Sequence, residues 1–152
     1  MFLRVDDRQF VFWNLRRGGL SNTVIADHFT ISRQAVSRAL LTMDQKVGAL
    51  LRDMAEANGI EVLRLDPVLG VLIGRSVPLR VDAVIFVSET HGVQVWYEHE
   101  GDCVACPRHD ECMILLRDFA REMNINLTED GNPTEMADEI FRKVKELVLC
   151  TG

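Results

Sequence analysis

Residues 21–40 read Ser-Asn-Thr-Val-Ile-Ala-Asp-His-Phe-Thr-Ile-Ser-Arg-Gln-Ala-Val-Ser-Arg-Ala-Leu. Ser21 is a good cap for a short helix, Asn22 to Phe29, with Val24, Ile25 and Phe29 expected on its buried side. Thr30-Ile31 supplies a tight turn, and Ser32 caps a second helix that opens on Arg33-Gln34-Ala35-Val36-Ser37-Arg38. Ala26 is small where two helices must cross closely, while Ile31 and Val36 suit the wedge of the corner. A short helix, a tight turn and a helix with a polar start follow the helix-turn-helix plan. Such a unit lays its second helix in the major groove, its first residues on base edges. Ser32, Arg33, Gln34, Ser37 and Arg38 are the residues so placed. Arg suits guanine O6/N7, Gln suits adenine N6/N7, and Ser32 or Thr30 could hold a phosphate. The competing reading is an ordinary three-helix packing unit with a solvated polar face.

Upstream, Asp6 or Asp7 caps a first helix running to about Arg17, with Phe10, Trp13 and Leu20 at helical spacing and Gly18-Gly19 as its stop. Downstream, Val36, Leu40, Met43, Val47, Leu50, Leu51 and Met54 extend an apolar stripe to Asn58-Gly59. A helix of that length spans roughly 37 Å. It either pairs with its twin in a homodimer, the preferred expectation for a reader of two half-sites, or is buried against the second half of the chain.

Beyond Gly59 the period changes. Ile60 to Leu65 alternates like a strand and stops at Asp66-Pro67, whereas Val68 to Ile73 is too short an apolar run to assign. Leu79 to Val87 and Val93 to Tyr97 read as strands joined through Glu89-Thr90-His91-Gly92 in a hairpin. The expected fold class is therefore α+β: a helix-turn-helix head with a long third helix, a small antiparallel-sheet unit, and C-terminal helices carrying a cysteine cluster. The expected division is a DNA-binding segment 1–58 and a sensor segment 59–152. "TISRQAVSRAL", the long helix and then "GIEVLRLDPVLGVLIGRSV" resemble archaeal DNA-binding proteins of the Tfx type. That resemblance implies a transcriptional regulator and does not account for the cysteines.

Three of the four cysteines, Cys103, Cys106 and Cys112, are spaced C-x2-C-x5-C, and Cys150 lies near the C-terminal end. After Cys112 an amphipathic helix is expected over Met113 to Met123. Asn132-Pro133-Thr134-Glu135 then starts a second helix reaching Cys150, with an Asn cap and Pro at its first position. Packed antiparallel, the two helices would return Cys150 toward Cys103 and Cys112. One reading is an iron–sulfur centre, a [4Fe-4S] cluster on these four thiolates. The spacing resembles that of the fumarate–nitrate reduction regulators and of WhiB-type proteins, which implies Cys103, Cys106, Cys112 and Cys150 as cluster ligands and a redox, oxygen, nitric oxide or iron signal. A second is zinc on four thiolates, or on three with His99 or His109. A third leaves the thiols reduced and unligated.

His28 is read as a surface or packing residue, His91 as solvated, and Trp13, Trp96 and Tyr97 as core. Glu98, Glu100, Asp102, Asp110 and Glu111 are read as a solvated rim.

The 152 residues have a formal net charge of −6 and are 47% hydrophobic, which fits a folded chain. Residues 1 to 58 hold eight Lys/Arg against six Asp/Glu, and the remainder nine against seventeen. An acidic body would keep DNA away from every face but the N-terminal one. Neither a signal peptide nor a membrane-spanning run is read, so the expected setting is the cytoplasm, where clustered cysteines bind metal or do redox chemistry more often than they form disulfides. Enzyme signatures such as a phosphate-binding glycine loop, a G-x-S-x-G elbow or a C-x3-C-x2-C motif are missing from the sequence. The expected partner is double-stranded DNA.

Overall fold

The computed structural model describes residues 7–99, 105–128 and 132–150; of Asp7 and Cys150 it describes the backbone only. Within them lie α1 (Asp7–Arg17), α2 (Asn22–Phe29), α3 (Arg33–Ala57), β1 (Ile60–Asp66), β2 (Val71–Ser76), β3 (Val81–Ser88), β4 (Gly92–Tyr97), α4 (His109–Glu122) and α5 (Pro133–Cys150). The fold is α+β as the sequence pattern indicates. The four strands form one antiparallel sheet in the order β1-β2-β3-β4.

Helices cover both faces of that sheet. Leu72, Ala83, Ile85 and Val87 share a core with residues of α1, α2 and α3, including Trp13, Ile25, Leu40 and Leu51. Their strand neighbours Val71, Ile73, Val84 and Phe86 pack instead with α4 and α5, through Leu116, Phe119, Ile140 and Phe141. Successive strand residues point to opposite faces, so a strand covered on both sides reads as a continuous apolar run. That is why 68–73 resists assignment by alternation: β2 is a central strand, and Val71, Leu72 and Ile73 are all buried.

The α3 stripe falls on the intrachain side of the two alternatives. Val36, Leu40, Met43, Val47, Leu50 and Leu51 are all 5% exposed or less within a single chain, and all but Leu50 belong to the core shared with α1 and the sheet. The expectation that this stripe forms a dimer seam is therefore corrected, since its apolar atoms are already covered. Segments 1–58 and 59–152 meet across a continuous core.

One close approach fixes the seating of the head on the sheet. Gly70 has φ +71°, and a Cβ there would lie 2.5 Å from the Trp13 ring. Trp13 Nε1 donates to Pro67 O at 3.0 Å across the same contact. Arg16 pairs with Asp44, and Lys46 Nζ donates to Gln9 Oε1 at 2.9 Å, tying α1 to α3. No helix among the described residues is long and apolar enough to cross a membrane.

Candidate nucleic-acid interface and cysteine site

The corner between α2 and α3 is built from backbone hydrogen bonds and two caps. Ser21 Oγ accepts from Val24 N at 3.2 Å, and Ser32 Oγ accepts from Ala35 N at 3.1 Å. Thr30 takes a left-handed conformation (φ 56°, ψ 48°), and Ile31 N donates to Ala26 O at 3.0 Å, closing the end of α2. Ile25, Ala26, Val36 and Leu40 are buried inside the corner. Phe29 stacks edge-on against Phe12, with ring centroids 4.9 Å apart. Val24 and Leu20, expected to be apolar contacts, are instead 48% and 40% exposed. A helix of two turns offers one narrow buried face, and Val24 lies about 100° round from Ile25.

This packing leaves Ser32, Arg33, Gln34, Ser37 and Arg38 exposed on one side of α3. Neither guanidinium has a carboxylate partner among the described residues, so both are available to an external anion. Arg33, Gln34 and Ser37 line a shallow concavity together with Asn22 and Thr23 from the first turn of α2. Asn22 Nδ2 donates to Ser37 Oγ at 3.2 Å. Two helix N-termini thus open on one hollow, and unpaired N–H groups with a positive dipole end favour anions there. Asn22 and Thr23 join the residues that the sequence pattern points to; their polar character just after the Ser21 cap is the signal for them.

The cysteines occupy a different part of the surface. Cys106 is exposed and Cys112 half-buried. Both line a cavity of about 590 Å³ between β4 and the start of α4, with His91, Trp96 and His99. The helix begins at His109, earlier than its apolar pattern indicates, so Cys112 sits in the first turn. Asp110 and Glu111 precede it there, where the helix dipole favours negative charge. His99 Nδ1 lies 2.8 Å from Tyr97 O, and its ring is 5.4 Å from that of Trp96. Of the two histidines considered as zinc ligands, His99 lines the cavity and His109 does not. His91 is not simply solvated: Nε2 lies 2.8 Å from Asp118 Oδ2 and the side chain is about three-quarters covered.

Cys103 lies outside the described residues, as do Glu100 and Asp102. Cys150 ends α5, and Leu149 just before it lines a groove with Asp82, Trp96 and Glu98. Trp96 also borders the cysteine cavity, and Glu98 N donates to Asp82 O at 2.9 Å where the sheet ends. The last turn of α5 therefore reaches the end of the sheet from which the chain leaves β4 toward the cysteines. Among the described residues no three Cys, His, Asp or Glu side chains converge as metal ligands. Of the four thiols, those of Cys106 and Cys112 border a common cavity.

No family model matches the chain, and no curated protein and no solved structure is significantly similar to it.

Proposed function

We propose that this chain is a DNA-binding transcriptional regulator, not an enzyme, whose affinity for double-stranded DNA is set by a [4Fe-4S] cluster held by Cys103, Cys106, Cys112 and Cys150. One observation carries the DNA-binding half. The first two turns of α3 expose Arg33, Gln34, Ser37 and Arg38 in front of a capped, tightly turned corner, and no carboxylate among the described residues pairs with either arginine. Arg33 and Gln34 are the candidates for base edges, and the N-terminus of α2, with Asn22 and Thr23, is the candidate for a phosphate.

The cysteine half is supported by the cavity that Cys106 and Cys112 share, with the end of α5 reaching the same end of the sheet. A cluster there would supply redox sensitivity. The protein's part is to hold it beside α4, half-covered by β4. The expected setting is the cytoplasm. A homodimer would place two heads on two half-sites, through a surface other than the α3 stripe.

Zinc is the second reading, and the position of His99 in the cavity with Cys106 and Cys112 favours it. In that case the α+β part would sense a small molecule or a protein. Purification without oxygen, followed by iron, acid-labile sulfide and zinc analysis, separates the two. Iron and sulfide at about four each per chain support the cluster. Stoichiometric zinc without sulfide replaces it with the second reading.

A further inference from the structure

The helix that begins beside the cysteines ends at the head. Glu122, the last residue of α4, has a side chain only 7% exposed, at the edge where β3 turns into β4. Its Oε1 accepts from Ser88 Oγ and Thr90 N, both at 3.1 Å, and from Thr90 Oγ1 at 3.3 Å. Its Oε2 is buried with no hydrogen bond and faces Arg17, 3.7 Å away. Arg17 is the last residue of α1, and its side chain is 1% exposed. It donates to Val87 O at 2.6 Å, Leu69 O at 3.3 Å and Asn14 Oδ1 at 3.3 Å, and its guanidinium lies 4.4 Å over the Trp13 ring. Two residues past Glu122, Asn124 Nδ2 donates to Gly18 O at 3.0 Å. The C-terminal ends of α1 and α4 are thus fastened at two adjacent points.

Each end of this fastening continues into something that matters. On the head side, α1 is tied to α3 by Arg16–Asp44 and by Lys46–Gln9, and α3 carries the exposed polar set at its start. On the other side, Cys112 lies about 15 Å up the same helix from Glu122 at about 1.5 Å per residue. Leu116 and Phe119, which lie between the two positions, are packed in the core, so α4 offers a continuous helical path from Cys112 to Glu122. The Glu122 carboxylate holds only one fully hydrogen-bonded oxygen, so its hold on Arg17 is sensitive to small displacements of α4.

We propose that Arg17 and Glu122, with Asn124 on Gly18, are positioning residues that couple occupancy of the cysteine site to the setting of the helix-turn-helix head. Linkage requires that whatever binds at the cysteines favours one setting of α4, and that DNA favours one setting of the head. The inference rests on the reading that the cysteines hold a cofactor and the head binds DNA.

The test uses the full chain, wild type and Glu122→Gln, each before and after reconstitution with iron and sulfide, and in parallel with zinc(II) alone. Glu122→Gln keeps the side-chain volume and an oxygen for Ser88 and Thr90 while removing the charge that faces Arg17. Asn124→Ala provides a second, milder release should the first variant fold poorly. Amide hydrogen exchange at 16–19 is followed without DNA, and DNA affinity is then measured for both states. Loading is expected to change exchange at the end of α1 in the wild type by at least about fivefold, the low end of ordinary allosteric couplings. In Glu122→Gln that change falls below about twofold, and the loaded-to-unloaded ratio of DNA affinities falls with it. Equal ratios in wild type and variants overturn the coupling, as does exchange at 16–19 that ignores loading in the wild type. A chain that loads and shows the exchange response but binds no DNA in either state keeps the coupling and removes the functional reading. A chain that holds neither iron–sulfur nor zinc removes both.

Discussion

Arg33 and Arg38 are exposed, and no carboxylate among the described residues pairs with either, which leaves both guanidiniums open to the proposed DNA contact. If Arg33 makes a bidentate contact to a guanine, Arg33→Ala weakens binding by about 1–3 kcal/mol and relaxes preference at one position. A phosphate contact from Arg38 instead gives uniform weakening in Arg38→Ala and lowers the salt slope by about one. Anisotropy titrations at several salt concentrations separate the two, and unchanged binding in the double variant contradicts the interface. Gly70 is a second informative position. Gly70→Ala places a methyl group 2.5 Å from Trp13 on a left-handed backbone, and a loss of about 2–4 kcal/mol in urea unfolding is expected. At this scale much was legible: the two caps and the polar set after Ser32 were readable because capping chemistry is local. Val24, Leu20 and the His91–Asp118 pair were not, because which apolar side chain is covered, and what a turn histidine meets, depend on partners distant in sequence.

At the scale of elements, the helices and the β3–β4 hairpin followed from periodicity, while β2 with its two pairings and the covering of faces did not. The α3 stripe was equally compatible with a twin helix or with the chain's own sheet, since both offer an apolar surface at the same spacing. Its burial within one chain makes a specific prediction. Leu51→Ala should cost about 2–5 kcal/mol, and the loss should be the same at low and high protein concentration. A loss that shrinks at high concentration would return the stripe to an intermolecular role. β2 was ambiguous for the opposite reason: with α1–α3 on one side and α4–α5 on the other, its alternation is erased. The start of α4 was placed late because its first turn, Asp110-Glu111-Cys112, carries charge suited to a helix N-terminus and no apolar signal.

Across the whole molecule, a basic-leaning head and an acidic body share one core rather than hanging on a linker. Arg17 lies at that junction. Burial lowers its pKa to about 10, while the nearby Glu122 and Glu89 charges act the other way, so it carries its charge at neutral pH. A buried charge kept at the seam between head and body is costly to leave unpaired, which makes the seam responsive to the position of Glu122. In the proposed function, what the cysteines hold governs what the head binds. The most direct measurement is a DNA titration of anaerobically reconstituted chain against the same preparation after its iron and sulfide have been stripped, at one fixed salt concentration. Affinities differing by at least about fivefold are expected, with the difference abolished in Cys112→Ser. Equal affinities in the two states, with iron and sulfide verified in one and absent from the other, would contradict it.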